Sequence, residues 1–318
     1  MKIVLLGAAG YVGRAAAVEL ARRPEVGELI LVDYIIRDAK KMAKNLSPKC
    51  RYAMADVGKA AELTRLLEGI DAVANAVGPC WEYEKATLLA CASMRIPAAS
   101  IGDNTLSRED RSEIHDAFRQ AGTAAISGCG MMPGWTDLLA AHFLGGGDPA
   151  PGLSRYLFFS PERFGGYTFM RDIAKRIGAE TSAPAGAPAG RYFAMPDGAV
   201  VGVPEGKAGA RVAGIANSIG KLGTIGKEFA AALMLWLRGT MSGPPGTPAA
   251  VAGVAGGTRT ARVDDPAGKI ASVLLAETAV RLASRAPQAK GLVPLRELIG
   301  REAARAIAED AGAVIISG

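Results

Sequence analysis

The 318-residue sequence is poor in metal ligands, with only two histidines, His115 and His142, and four cysteines, Cys50, Cys80, Cys91 and Cys129. No two cysteines share a Cys-x-x-Cys spacing, so no structural zinc site is expected, and reduced thiols in a cytoplasm are the simplest reading. No apolar run approaches the roughly 20 residues needed to span a bilayer. The chain opens directly on an apolar strand, from which no signal or transit segment is expected. Basic residues are not clustered either. Lys and Arg number 37 against 31 Asp and Glu, a formal net charge of +6. With neither a basic block nor interleaved aromatics, a nucleic-acid surface is not favoured. A modest positive field would attract an anionic ligand, and plain solubility explains it equally.

What is present is concentrated at the start, in Lys2-Ile-Val-Leu-Leu-Gly-Ala-Ala-Gly-Tyr-Val-Gly13. Ile3 to Leu6 is a short apolar run of the kind that forms a buried parallel strand. Gly7, Gly10 and Gly13 follow, and then alanines and Leu20 at helical spacing. Strand, glycine turn and helix together give the context in which a dinucleotide-binding motif is credible. Glycine lets the backbone turn tightly and approach a pyrophosphate, whose charge meets N–H groups at the helix start. Ala8 stands where the strict fingerprint has its first glycine. The next apolar run, Leu29-Ile-Leu-Val32, ends at Asp33. That acid follows Gly13 at the spacing, about 20 residues, expected of a carboxylate that binds an adenosine ribose. A third strand, Arg51-Tyr-Ala-Met54, is followed by Asp56 and Val57, placed to border an adenine. The competing reading is a nucleotide-free α/β domain whose glycines only allow close helix packing.

The following segments keep a β-α-β rhythm. Helices are expected at residues 35–45, 59–68, 82–94 and 107–120, and strands at 72–76, 98–101 and 124–127. The alternation argues for an α/β fold, a doubly wound, Rossmann-type parallel sheet. Ligands of such sheets lie outside the carboxyl ends of the strands, so the turns at residues 7–13, 33, 75–81 and 128–135 should line one crevice. The expected cofactor-binding set is Gly7, Ala9, Gly10, Tyr11, Val12, Gly13, Asp33, Tyr34, Asp56, Val57, Asn75, Ala76, Val77, Gly78 and Pro79. Asp33 facing the 2′-phosphate of NADP about 4 Å away would cost roughly 1 kcal/mol in water and about 4 at intermediate dielectric. That favours NAD, although Arg37 offsets part of the cost.

Past Asp137 the rhythm changes. A strand is expected at 153–159, a helix at 169–177, a loop at 179–190 and short strands at 191–195 and 199–203. Residues 225–237 are strongly apolar, with Phe229, Leu233, Trp236 and Leu237 at helical spacing. That face suits an interdomain or subunit contact better than a membrane anchor. Residues 242–257 read as a second Gly/Pro/Ala loop, 269–284 and 294–310 as helices. The expected domains are a dinucleotide-binding domain at 1–136, a smaller inserted α+β substrate and dimerisation domain at 137–284, and a return to the first at 285–318.

Asn75-Ala-Val-Gly-Pro-Cys-Trp-Glu-Tyr83 resembles the turn N-A-x-G-P-[FY]-W-x-Y of saccharopine-dehydrogenase-like oxidoreductases. Gly128-Cys-Gly-Met-Met-Pro-Gly134 is similar to that family's second, glycine-rich signature, and Gly291-Leu-Val-Pro-Leu-Arg-Glu297 to its C-terminal G-V-x-x-P-E element. The likeness runs from the first strand to about position 145 and resumes from about position 269 to the end. It implies an NAD- or NADP-dependent dehydrogenase or reductase, often a homodimer, acting on amino-acid-derived secondary amines such as saccharopine or carboxynorspermidine. An aspartate common after the family's fifth strand is Ser100 here, a following glutamate is Asn104, and the middle domain is short. These departures argue against saccharopine itself.

In the implied reaction hydride passes between the nicotinamide and a carbon bearing an amine or imine, and an acid or base handles the nitrogen proton. Asp103, Asp137 and Lys175 are the candidates for that role. Cys80, Trp81, Tyr83, Asn104, Met132 and Trp135 are expected to line the substrate. Asp137 also reads as a first-turn acid of a helix, and Lys175 as a solvated lysine. Cys80 and Cys129 lack a nearby histidine and read as inert thiols, and His142 as a core residue. None of the seven tyrosines has a lysine four residues on, which excludes short-chain-dehydrogenase chemistry. The second reading, from a different class, is a redox sensor that binds dinucleotide without turnover.

Overall fold

The structure, a computed structural model, describes residues 1–102, 105–144, 152–219, 228–229, 232–233, 236–241, 243–284 and 289–318. Two compact units divide it. The first takes Met1–Gly134 and Ala271–Gly300, the second Trp135–Ile270 and Arg301–Gly318. The return to the first unit thus starts earlier than residue 285, and Arg301–Gly318 belongs with the inserted sheet.

In the first unit six short apolar runs become parallel strands: β1 (Lys2–Leu6), β2 (Glu28–Asp33), β3 (Cys50–Met54), β4 (Ala72–Asn75), β5 (Ala98–Ser100) and β6 (Ala124–Ser127). Their order is β6-β5-β4-β1-β2-β3, and the short strand Gly291–Leu292 extends it beside β6. Because β1 lies between β2 and β4, the direction of winding reverses there, which opens a crevice at the carboxyl ends of β1 and β4. Five helices connect the strands: α1 (Tyr11–Arg22), α2 (Ile36–Leu46), α3 (Ala60–Leu66), α4 (Cys80–Ser93) and α5 (Arg108–Ala121). Ser107 and Asp110 close a reciprocal capping box at the start of α5, and Gly122 ends that helix in the left-handed region. Ile114 and Phe118 on α5 join Val73, Leu88, Cys91 and Ala125 in one buried cluster. The helix Ile270–Ser284 returns to this unit, where Ser272 Oγ donates to the Val12 carbonyl at 3.0 Å and Glu277 pairs with Arg23 at 3.0 Å.

The second unit holds a mixed sheet. Its elements in chain order are α6 (Trp135–His142), β7 (Ser154–Phe159), α7 (Tyr167–Arg176), β8 (Glu180–Thr181), β9 (Arg191–Ala194), β10 (Val200–Val203), α8 (Lys207–Ile219), β11 (Ala250–Gly256) and β12 (Arg259–Asp265). The strand Val314–Ser317 adds to the β12 edge, and β11 pairs antiparallel with both β7 and β12. Strand β11 occupies a stretch expected to be a loop. Its sequence, Ala-Val-Ala-Gly-Val-Ala-Gly, looks like a linker because the large side chains that cover it belong to its neighbours. A Cβ on Gly253 would lie 2.1 Å from the Tyr156 ring of β7, so the ring occupies the space a side chain at residue 253 would take. Helix α8 and strand β12 fall where the sequence pattern marks no element. The expected helix at 294–310 is two helices, Leu295–Leu298 and Arg301–Asp310, parted where Ile299 turns to an extended conformation before Gly300. Of the apolar segment at 225–237, the described residues 228–229, 232–233 and 236–237 are helical, and Phe229 and Trp236 are 70% and 80% exposed. Among the described residues no helix is long and apolar enough to cross a membrane.

Gly253→Ala is expected to cost about 3 kcal/mol, because the added methyl must displace the Tyr156 ring. Urea denaturation reads the loss; an unchanged midpoint would show that the ring moves freely.

Candidate functional site

The loop after β1 is built on contact between backbones. Gly7 has φ +73°, and a Cβ there would lie 2.7 Å from the Ala76 carbonyl oxygen. A Cβ on Gly13 would lie 2.0 Å from the Gly7 carbonyl oxygen. Both positions therefore require glycine for internal fit. Gly10 is different: it is exposed, and a Cβ would meet only the Gly7 oxygen at 3.2 Å. Gly10 is the N-cap of α1, it offers no capping side chain, and the first turn carries no acid. That leaves an uncrowded helix start with the polarity an anion prefers. Ala8 is wholly buried and donates its N–H to the Val32 carbonyl at 3.0 Å, so its methyl fills core where the strict fingerprint has glycine.

Asp33 at the end of β2 ties this loop down. Its Oδ2 accepts from Ala9 N at 2.8 Å and its Oδ1 from Ile35 N at 3.0 Å. Each carboxylate oxygen keeps a further lone pair for a ligand hydroxyl. Tyr34 beside it is 73% exposed. Arg37 stands next to Asp38, with Nε 3.3 Å from Oδ1, and Arg14 reaches the other oxygen of Asp38 at 3.2 Å. After β3, Asp56 Oδ1 accepts from Gly58 N at 3.0 Å, and Val57 packs half-buried on the core.

Strand β4 ends at Asn75, which is wholly buried. Its Oδ1 accepts from Val77 N at 3.1 Å and its Nδ2 donates to Ser100 Oγ at 3.1 Å. The turn Ala76, Val77, Gly78, Pro79 leads into α4, whose first residue Cys80 is buried. Trp81 is exposed, and Tyr83 lies 3.7 Å from where a Cβ on Gly58 would be. Beyond β6, Gly134 has φ +112°, and a Cβ there would lie 2.3 Å from the Gly130 oxygen. This folds the second glycine stretch into a tight knot that carries a half-buried Met132. Residues 7–13, 33–34, 56–57, 75–83 and 132 thus all follow carboxyl ends of strands of one sheet.

Asp103 and Asn104 lie outside the described residues. The other candidates belong to the second unit. Asp137 sits in the first turn of α6, 3.5 Å from Arg155. Lys175 Nζ contacts the Glu228 carboxylate, which Arg171 also grips with two bonds of 2.8 Å. These cations hold the Glu228 carboxyl down to about 2. Trp135, expected to line a substrate, is instead a core residue: it is wholly buried, and its indole N–H donates to the Ile270 carbonyl at 3.5 Å.

Two polar residues, Glu84 and Ser127, escape the sequence reading. Glu84 is 1% exposed and accepts from Ser127 Oγ at 2.8 Å. A signal for Glu84 exists, since it shares a helical face with Thr87, Leu88 and Cys91, all buried. Among the described residues no group of three or more His, Cys, Asp or Glu could hold a metal ion. Burial pushes the thiols of Cys91 and Cys129 up to about 12 and raises that of Cys50. Cys91 and Cys129 should therefore resist iodoacetamide at pH 8 in the folded protein and react fully in urea. Mass spectrometry of the alkylated peptides checks this, and rapid native labelling of Cys129 would contradict the inert assignment.

Residues 3–126 match the family model described as the saccharopine dehydrogenase NADP binding domain. The fold is similar over the whole length to that of an apo, histidine-tagged saccharopine dehydrogenase (L-Glu forming) from Saccharomyces cerevisiae. The TM-score is 0.60 at 12% identity, covering 100% of this chain and 99% of that one. A triphenylmethane reductase from Citrobacter sp. is similar over 40% of this chain and 48% of its own, with TM-score 0.33 and 14% identity. No curated protein matches in sequence. Over residues 3–126 the chain is thus similar to the NADP binding domain of saccharopine dehydrogenase, which supports an NAD(P)-dependent oxidoreductase, and the whole chain shares the fold of that enzyme.

Proposed function

We propose that the chain exchanges hydride between a nicotinamide dinucleotide and a carbon bearing an amine or imine in a small amino-acid-derived substrate. The observation that carries this reading is the pairing of an open Gly10 helix start with the Asp33 carboxylate bound to the adjacent Ala9 amide. In this reading Gly7, Ala9, Gly10, Tyr11, Val12 and Gly13 receive the pyrophosphate. Asp33 and Tyr34 hold the adenosine ribose, Asp56 and Val57 border the adenine, and the turn from Ala76 to Pro79 meets the nicotinamide end. The chemistry supplied by the bound dinucleotide is hydride exchange. Cys80, Trp81, Tyr83 and Met132 border the substrate side. Lys175 and Asp137 are engaged in ion pairs, so Asp103 is assigned the nitrogen proton.

NAD is the favoured cofactor. A 2′-phosphate would face the Asp33 carboxylate, while Arg37, the cation that could compensate, stands against Asp38. The ion-paired state of Lys175 and Asp137 also supports the second reading, a sensor that binds dinucleotide without turnover.

Absorbance at 340 nm during incubation with amino acids, opines and keto acids separates these. Turnover of any member removes the pure sensor, and tight binding with no turnover favours it. Asp33→Ala should raise the ratio of NADP to NAD affinity by at least about fivefold. An unchanged ratio would take Asp33 out of cofactor selection.

A further inference from the structure

Three turns meet at the carboxyl edge of the first sheet, and buried polar groups join them in a closed circuit. Asn75 at the end of β4 donates through Nδ2 to Ser100 Oγ at the end of β5, at 3.1 Å, and Ile101 N returns a bond of 3.0 Å to the Asn75 carbonyl. The Ser100 carbonyl accepts from Cys129 N, in the turn after β6, at 2.8 Å. Ser127 at the end of β6 donates to Glu84 Oε1 at 2.8 Å, and Glu84 sits in the first turns of α4, the helix that leaves the Gly78-Pro79 turn. Asn75 Oδ1 closes the circuit by accepting from Val77 N at 3.1 Å in that same turn. Asn75, Ser100 and Glu84 are all buried.

The circuit is tight. Gly102 has φ +41°, and a Cβ there would lie 2.5 Å from Ser127 Oγ, 2.6 Å from Gly128 N and 3.0 Å from Glu84 Oε1. The next residue in sequence is Asp103, the proposed proton-transfer group. Buried polar groups are costly unless satisfied, and an apolar core of the same shape is often as stable. The surrounding strands are alanine and valine, which would suit such a core. What the bonds of this circuit add is one fixed geometry, since each tolerates little displacement.

We propose that Asn75, Ser100, Ser127 and Glu84 are positioning residues that hold the turns after β4, β5 and β6 in one register and so shape the nicotinamide half of the cofactor site, without contacting the cofactor themselves. This rests on the dinucleotide reading above. It replaces the direct cofactor contact expected of Asn75, whose side chain is wholly buried and bonded to Val77 and Ser100. The adenosine half of the site, at Gly10 and Asp33, lies outside the circuit.

The test compares binding of NADH with binding of ADP-ribose, which lacks the nicotinamide, by calorimetry on the full chain. Where NADPH binds tighter, it is compared with 2′-phospho-ADP-ribose. Ser127→Ala removes one hydroxyl from a half-buried site and is the variant least prone to misfold. It should weaken NADH roughly tenfold and leave ADP-ribose within about twofold. Glu84→Ala should behave alike, while Glu84→Gln keeps an acceptor oxygen for Ser127 and should recover most of the affinity. Unchanged NADH binding in Ser127→Ala, or equal weakening of both ligands, overturns the positioning role while the dinucleotide reading stands. A wild-type chain that binds neither dinucleotide overturns both.

Discussion

The approach of Gly13 to the Gly7 carbonyl governs the geometry of the first unit. A Cβ at residue 13 would fall 2.0 Å from that oxygen, so α1 can begin where it does only because residue 13 lacks a side chain. From that contact follow the placement of Gly10 as a bare helix start and the reach of the Asp33 carboxylate to Ala9 N. The same loop touches the end of β4, because Gly7 backs onto the Ala76 carbonyl. One tight backbone contact therefore aligns helix α1, the β2 carboxylate and the β4 turn at the point where the winding of the sheet reverses.

Carboxylates then act as anchors for backbone turns. Asp33 accepts one amide from the glycine loop and one from its own turn. Glu84 holds Ser127 beneath the second glycine stretch. In the second unit Asp265, wholly buried, accepts from Gly268 N at 2.8 Å and Ile270 N at 3.0 Å and so starts the helix Ile270–Ser284. Burial raises the Asp265 carboxyl while these amide bonds work to lower it. In each case an acceptor with several lone pairs fixes a turn that side-chain packing alone would leave free to shift.

The first unit is legible because its signals are local. A short apolar run, a glycine turn and an acid closing the next strand can all be read from neighbours in sequence. The second unit resists for the opposite reason. Strand β11 is small residues throughout, and its identity as a central strand depends on Tyr156 of a distant strand lying over Gly253. Strand β12 alternates clearly, with Ala261, Val263 and Asp265 buried, yet it closes on a buried acid that reads as surface. Trp135 looks like a pocket residue from its place after a glycine turn, but the start of its helix faces core. Glu84 is hidden by its charge, which suggests solvent, while its helical face is apolar.

The central claim is that the Gly10 helix start and the Asp33 carboxylate together receive the phosphate and ribose of a nicotinamide dinucleotide. A crystal structure of the chain grown with NADH addresses it most directly. The account predicts pyrophosphate oxygens within hydrogen-bonding distance of backbone N–H groups in residues 9–13, and adenosine ribose hydroxyls on the Asp33 carboxylate. A dinucleotide seated elsewhere, or one whose ribose does not touch Asp33, would contradict it.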